Sequence, residues 1–507
     1  MNTIQRITAV FVAVLISVSA SAFDDGLTRS TPEEQGASSR AVAELFQDLE
    51  EGGFEVHGLM ILRHDKVIAE HWWAPYGPEY THAMYSSTKT FTAAAIGFAV
   101  QEGLVSIEDR VMDFFPELLP EKIPAGLPDL KVKHLLSMSA GHATTSYPGN
   151  GSDQVRSFLA TEFAHEPGTS FAYDITCSHM LSRIITKVTG ISLFEYLKPR
   201  LLDSIGISGD IVWEMDYDGC NMGNGGMHSR TSDLAKFGLF LKNRGRWNGQ
   251  QLLDPKWIDE MTTPHIYQHP ERTAEENSKD DGSQGYGYQT WMGRNGSYRA
   301  IGASNQVILV MPQYDLVVAS NGSIRDENGF NDIIYKFAST LSDRKLKPEK
   351  GFSLSDALSG YALATPFEKG DGASAVKSCT RRYRMHVNEL DITNISFRFD
   401  AAGNCFMTIE SAGSVNNIPF GLDCWLYGQT DRRILGGRSV YPNPMGTTPY
   451  VTAGYCSWAE KDRLDAYSLS MFNVGSADTF HISFDADNIT VNAGRTVLTG
   501  TLIKTTL

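Results

Sequence analysis

The chain of 507 residues is 42% apolar and 20% charged, with 46 Gly and 20 Pro, a globular composition that excludes collagen, coiled coil and wholesale disorder. Its formal charge of −15 repels phosphate backbones and anionic headgroups, so neither a nucleic acid nor a membrane surface is expected as its main partner.

Residues 1–22 read as an export signal. Arg6 is the only charge, a 12-residue apolar stretch runs from Ile7 to Val18, and Ala20-Ser21-Ala22 offers small residues for cleavage. The stretch is too short for a bilayer of ~30 Å, and no later window suits a membrane span. The mature protein is therefore expected to begin at Phe23, in the periplasm or outside the cell.

From Gly58 to Ala69 the pattern predicts two strands joined by a turn at His64-Asp65-Lys66. Lys89 to Glu102 is Ala-rich, with Phe91, Ala95, Phe98 and Ala99 at helical spacing and Gly103 as terminator. Ser178–Val188 and Leu234–Asn243 repeat that logic, and Val307–Ser320 returns to paired strands around Pro312-Gln313-Tyr314-Asp315. This predicts a mixed α/β (α+β) domain over 23–345. Charged, Ser and Gly residues then mark a linker or loose docking segment over 346–372. Beyond it, alternation at Ile395, Phe397 and Phe399, at Tyr467, Leu469 and Met471, at Phe480, Ile482 and Phe484, and at Ile489 and Val491 predicts an antiparallel β barrel or sandwich over 373–507.

Six cysteines, Cys177, Cys220, Cys379, Cys405, Cys424 and Cys456, pass into a compartment that permits disulfides. Four lie in the tail, so any bridges are expected to staple that part. None stands in a CxxC pair and the 13 His are scattered, so no metal is expected.

The chemistry concentrates in Tyr85-Ser86-Ser87-Thr88-Lys89. A serine hydroxyl needs a base beside it to act as nucleophile. At i and i+3 in a first helical turn, Ser86 and Lys89 share one face. The helix N-terminus favours a developing oxyanion at the serine, and its field together with desolvation lowers the lysine pKa.

Further stretches follow in order. They are Gly103-Leu104-Val105-Ser106-Ile107-Glu108-Asp109-Arg110-Val111 with Phe115-Pro116-Glu117, Val132-Lys133-His134-Leu135-Leu136-Ser137-Met138-Ser139-Ala140-Gly141, and Pro167-Gly168-Thr169-Ser170-Phe171-Ala172-Tyr173. Gly225-Gly226-Met227 with Ser232-Asp233-Leu234-Ala235-Lys236-Phe237-Gly238 comes next, then Tyr286-Gly287-Tyr288 with Ala300-Ile301-Gly302. With these, roughly residues 30–341 resemble the serine β-lactamase and penicillin-binding protein superfamily, in its class C-like esterase and amidase branch. Within that branch the chain is most similar to 6-aminohexanoate-oligomer hydrolases and related carboxylesterases. The resemblance implies an antiparallel sheet flanked by helices, no cofactor and a small-molecule acyl substrate.

Carried over residue by residue, the resemblance makes Ser86 the nucleophile, Lys89 its proton acceptor and Tyr173 the group that protonates the leaving atom. The N–H groups of Ser86 and Ala303 would form the oxyanion hole, with Gly302 allowing close backbone approach. Two positions depart from the family pattern. Ile175 stands where the second motif has Asn, and Ala300-Ile301-Gly302 replaces Lys-Thr-Gly, so penicillin-type carboxylates should bind weakly. Arg294 and Arg299 are near, but a strand neighbour points to the opposite face. Asn224, His228, Tyr288 and Gly302 are candidate substrate contacts, and Trp72, Trp73, Trp291 and Tyr288 candidates for an apolar pocket wall.

Three readings follow. The first is a secreted or periplasmic serine hydrolase of esters or amides. The second is an acyltransferase delivering the same acyl group to an alcohol or amine acceptor. The third is a non-turnover penicillin-binding or sensing module, against which the intact Ser86, Lys89 and Tyr173 set argues.

Overall fold

The computed structural model describes residues 23–142, 152–207, 209, 211–370, 380–411, 414–430, 450–471 and 477–504. The expected export signal and Cys379 lie outside the described residues.

The first region is built on a six-stranded antiparallel sheet. Its strands are β1 (Val56–Arg63), β2 (Lys66–Trp72), β3 (Trp291–Met292), β4 (Tyr298–Gly302), β5 (Gln306–Met311) and β6 (Leu316–Gly322), in the spatial order β2-β1-β6-β5-β4-β3. Side chains alternate across a strand, so each central strand must supply two cores. In β1, Met60 and Leu62 enter one hydrophobic cluster while Leu59 and Ile61 enter the other. In β5, Ile308 and Val310 split from Val307, Leu309 and Met311 in the same way. That double burial is why these strands read as continuous apolar runs.

Helices α1 (Ser39–Glu51) and α5 (Glu327–Ala338) cover one face, where Phe46 and Phe330 are fully buried. Helices α2 (Thr88–Gln101), α3 (Ile175–Thr189) and α4 (Thr231–Lys242) contribute to the core on the other face. Helices α3 and α4 both start three residues before the apolar pattern does. Asp174 caps α3 by accepting from the Thr176 N–H at 2.9 Å, and Asp233 in α4 accepts from the Arg230 N–H at 3.2 Å. Polar capping extends a helix where hydrophobic periodicity is silent.

The second region is a closed barrel rather than a sandwich. Nine strands run in the order Ser414–Leu422, Cys405–Ser411, Ile392–Phe399, Thr380–Met385, Thr496–Leu502, Asn488–Ala493, Ala477–Asp485, Arg463–Ser470 and Tyr450–Glu460. A short parallel pairing of Gly421 and Leu422 with Tyr455 and Cys456 closes the ring, and Leu426–Thr430 flanks it. Closure removes the open edges that a sandwich would have to protect. Tyr383, Phe397, Trp458, Phe480 and Phe484 fill the interior.

The two regions meet along a seam. The Tyr427 hydroxyl donates to the Pro75 carbonyl at 2.8 Å, and the Tyr80 and Tyr427 rings stack with centroids 5.5 Å apart. The connecting segment is docked, with Tyr361 stacked near Phe46 and Trp73 and the Leu363 N–H donating to Ala74 O at 3.1 Å. No disulfide bridge forms among the described residues. Cys177, Cys220, Cys405, Cys424 and Cys456 are free thiols, and all but Cys424 are buried as small hydrophobes.

Candidate active site

Ser86 lies in a 3₁₀ turn, Tyr85–Ser87, that leads directly into α2. Tyr85 holds φ +46°, a left-handed conformation that an aromatic residue adopts only when its surroundings impose it. The Met84 N–H donates to Met227 O at 2.9 Å, which anchors the chain just before this turn. The turn thus presents Ser86, half-buried, at the head of a buried helix.

Lys89 follows one turn later, 1% exposed, with Nζ 2.8 Å from Ser86 Oγ and 2.6 Å from the Asn224 carbonyl oxygen. Burial disfavours the ammonium and brings Lys89 from 10.5 down to about 7. A neutral amine that donates to Asn224 O has its lone pair free to accept the serine proton. Asn224 is itself held by a loop clamped to α2, since Thr92 Oγ1 donates to Gly223 O at 2.8 Å. A Cβ on Gly223 would stand 2.3 Å from Ser178 O, so only glycine lets this loop approach α3.

Tyr173 closes the group. Its hydroxyl shares a hydrogen bond with the Ser86 side chain, and its ring lies 5.2 Å from Lys89 Nζ. Burial raises the phenol to about 12, partly offset by the bond to Ser86. Tyr173 therefore carries its proton at neutral pH. Gly302 ends β4 against the same turn. A Cβ there would lie 2.1 Å from Met84 O and 3.1 Å from Ser86 N, so the glycine lets the end of the strand approach the Ser86 turn closely.

The remaining candidates divide. The Asn224 side chain is 4% exposed, and neither its Oδ1 nor its Nδ2 has a hydrogen-bond partner among the described residues. A buried amide without partners beside Ser86 and Lys89 is suited to meet a substrate or a water. His228 is engaged by Glu214, with Nε2 2.7 Å from Oε1, on a short strand paired with His82–Ala83. Tyr288 is corrected from pocket wall to core residue: its ring stacks on His265 at 4.2 Å and meets Trp257 at 5.5 Å. Trp73 is likewise a core residue, packed with Phe46 on the α1 face of the sheet, and Trp72 packs beside Gly58. Of the proposed aromatic wall only Trp291 stands at the site, 5.5 Å from the Tyr173 ring.

Sequence reasoning missed Trp291's partners, Phe171 at 5.8 Å and Tyr286 at 5.0 Å. Tyr286 sits in the same Tyr-Gly-Tyr stretch as Tyr288, and neighbouring turn residues cannot be ranked by periodicity. Arg299 is buried, donating to Met292 O at 2.9 Å and Asp281 O at 3.2 Å, while Arg294 pairs with Asp281 and Asp332. Both guanidinium groups thus make their hydrogen bonds through the terminal nitrogens to protein oxygens, while Nε of each is buried without a partner among the described residues.

The beta-lactamase family profile matches residues 42–324. The 6-aminohexanoate-dimer hydrolase of Paenarthrobacter ureafaciens is 23% identical over 318 residues, 59% of this chain and 80% of its own. Two solved structures are similar at low identity. EstCE1, a hydrolase with promiscuous acyltransferase activity, has 16% identity, 60% coverage of this chain, 98% of its own and a TM-score of 0.47. The octameric penicillin-binding protein homologue of Pyrococcus abyssi has 18% identity, 91% coverage of this chain, 99% of its own and a TM-score of 0.45. Because the family profile spans more than half of the chain, from α1 through the whole of the sheet, this protein belongs to the beta-lactamase family.

Proposed function

We propose that the protein is an exported serine hydrolase that cleaves esters or amides through an acyl-enzyme on Ser86. The observation that carries this reading is Lys89 Nζ, 2.8 Å from Ser86 Oγ and held near neutral pKa by burial. Lys89 takes the hydroxyl proton as Ser86 Oγ forms its bond to the acyl carbon. The N–H groups of Ser86 and Ala303 hold the oxyanion. Collapse of that intermediate breaks the bond to the leaving oxygen or nitrogen, which takes a proton from Tyr173, and Tyr173 is reprotonated from Lys89. Water then attacks the acyl-enzyme by the same route in reverse and releases the acid.

Lacking the third-motif lysine and the second-motif asparagine, and with Arg294 and Arg299 bound to protein groups, the site offers little for a penicillin carboxylate. Loss of one charge-assisted contact costs ~1.5–3 kcal/mol, roughly 10–150-fold in specificity. The test is fluorophosphonate labelling of wild type and Ser86→Ala, followed by kcat/KM on p-nitrophenyl esters and nitrocefin. Labelling that persists in Ser86→Ala, or equal kcat/KM on the two substrate classes, would overturn the reading. Stable labelling without turnover of any ester would leave a penicillin-binding or sensing role instead.

A second reading, acyl transfer to an alcohol or amine, is favoured by Trp291, half-buried beside Tyr173 and packed against the half-buried Phe171. An acceptor stacked there would gain effective molarity over water. Mass spectrometry of products from one acyl donor, with and without aromatic alcohols and amines, separates the two fates.

A further inference from the structure

A second cavity lies at the seam between the sheet region and the barrel, with a volume of about 680 Å³. It shares no lining residue with the Ser86 site. Trp73, Tyr76, Glu50 and Glu55 come from the first region, and Trp425 and Tyr467 come from the barrel. Its size falls within the range of small-molecule sites, so the question is which chemistry the walls select.

Two features converge. Aromatic rings line it from both regions. Tyr76 is stacked on His57 at 3.8 Å, and Trp425 is set edge-on to Tyr467 at 6.2 Å, so these rings are held in place by their neighbours. The charge is of one sign. Glu50 accepts from the Trp73 indole N–H and forms no ion pair among the described residues. Glu55 lies 3.1 Å from His57 Nε2, and its charge bears on both Tyr76 and Tyr467. Burial holds the His57 imidazole below its ordinary range, which limits how far it neutralises Glu55. No lysine or arginine is among the described lining residues, and the one histidine, His481, is taken by Asp465 at 2.8 Å.

Glu50 and Glu55 are exposed and stand at the rim of the cavity, and aromatic faces with carboxylates beside them attract alkylammonium groups, because the ring quadrupole and the anions act in the same direction. We infer that this cavity is a binding site for a small organic cation of the alkylammonium class, seated on the half-buried Trp425 and Tyr467 rings with its charge toward Glu50 and Glu55. The inference does not depend on the reaction at Ser86.

The probe is choline, with 3,3-dimethylbutan-1-ol as its neutral isostere, titrated into the full-length protein by calorimetry and tryptophan fluorescence. Choline is expected to bind at least about tenfold more tightly than the isostere. Glu50→Gln and Glu55→Gln should each weaken choline by about tenfold, with Trp425→Ala as an uncharged control that weakens both probes. Circular dichroism of each variant separates loss of binding from loss of fold. Protein labelled on Ser86 with a fluorophosphonate should titrate as the unlabelled protein does. Equal affinity for the two probes, unchanged affinity in both folded Glu variants, no binding at tens of millimolar choline, or loss of binding on Ser86 labelling would each overturn the proposal.

Discussion

Between residues 23 and 345 the interior holds Lys89, His57, His82, His179, Arg183 and Arg299, whereas the described buried polar groups of the barrel are Asn416, Thr452, Ser457, Asp465 and Ser468. Both regions fill their cores with aliphatic and aromatic side chains. They differ in what else they take out of water. Desolvating an ionisable group costs free energy unless partners repay it. In the barrel the one described buried carboxylate, Asp465, is met by His481 at 2.8 Å. In the sheet region Lys89 has only neutral oxygens at its amine, and a buried Asn224 amide stands without partners. Uncompensated desolvation marks the place where chemistry is expected, because stability is given up there for reactivity.

The contrast between a sheet region with uncompensated buried groups and a barrel whose described buried carboxylate is paired can be tested most directly at Ser86. Ser86→Ala should lower kcat on a p-nitrophenyl ester by at least ~10³, with Lys89→Ala nearly as severe, since losses within one catalytic unit are not additive. A comparable loss from Asp465→Asn in a folded barrel would erase the distinction.

Gly302→Ala comes next. Its methyl would displace β4 from the Ser86 turn, and misplacing one oxyanion donor costs about 10²–10³ in kcat. Steady-state kinetics with a thermal melt decides it, and wild-type turnover in a folded variant would remove Ala303 from the proposed oxyanion hole.

The pH profile sharpens the same contrast. With Lys89 near 7 and required as the free base, kcat/KM should rise about tenfold per unit below pH 7 and level off above it. Tyr173, near 12, stays protonated throughout that range. The stability linkage has its own sign. The unfolded lysine, near 10.5, binds a proton that the folded one has lost, so stability rises with pH between about 7 and 10.5. Replacing the buried amine by Lys89→Met should therefore raise the melting temperature at neutral pH, and the advantage should shrink toward pH 10. A Lys89→Met protein that melts lower at pH 7 and keeps that deficit at pH 10 would contradict the desolvation account.

The smallest effect is expected at the seam. Tyr427→Phe removes one hydrogen bond to Pro75 and should cost ~0.5–1.5 kcal/mol by denaturant unfolding, with activity on small esters unchanged. A large fall in kcat would show that the barrel helps to position the site.

Much of this molecule is legible from local pattern. The helix carrying Lys89 differs from its expected bounds by one residue at each end, because its apolar positions and its Gly103 terminator are both local. The barrel strands at Ile395, Phe480 and Ile489 follow period-2 alternation that needs no partner to be read. Helices α1 and α5 escaped notice even though Val42, Leu45, Phe46 and Leu49, and Phe330, Ile334 and Phe337, stand at helical spacing. Tyr288 and Trp73 suit a pocket wall by residue type alone, whereas their packing against His265 and Phe46 puts both in cores.

What the sequence by itself determined is the pairing of Ser86 with Lys89, since i and i+3 on one helical turn are neighbours in any fold that keeps the helix. The β class of the tail was determined in the same way, by alternation. Only the tertiary structure decided that Asn224 O receives the lysine, that Gly302 meets Met84 O, and that Tyr286 and Trp291 rather than Tyr288 and Trp73 stand beside Tyr173. Those contacts join residues more than a hundred positions apart, or depend on which face of the sheet a side chain enters. Short-range periodicity carries no information about either, and the closure of the barrel through one parallel seam is of the same kind.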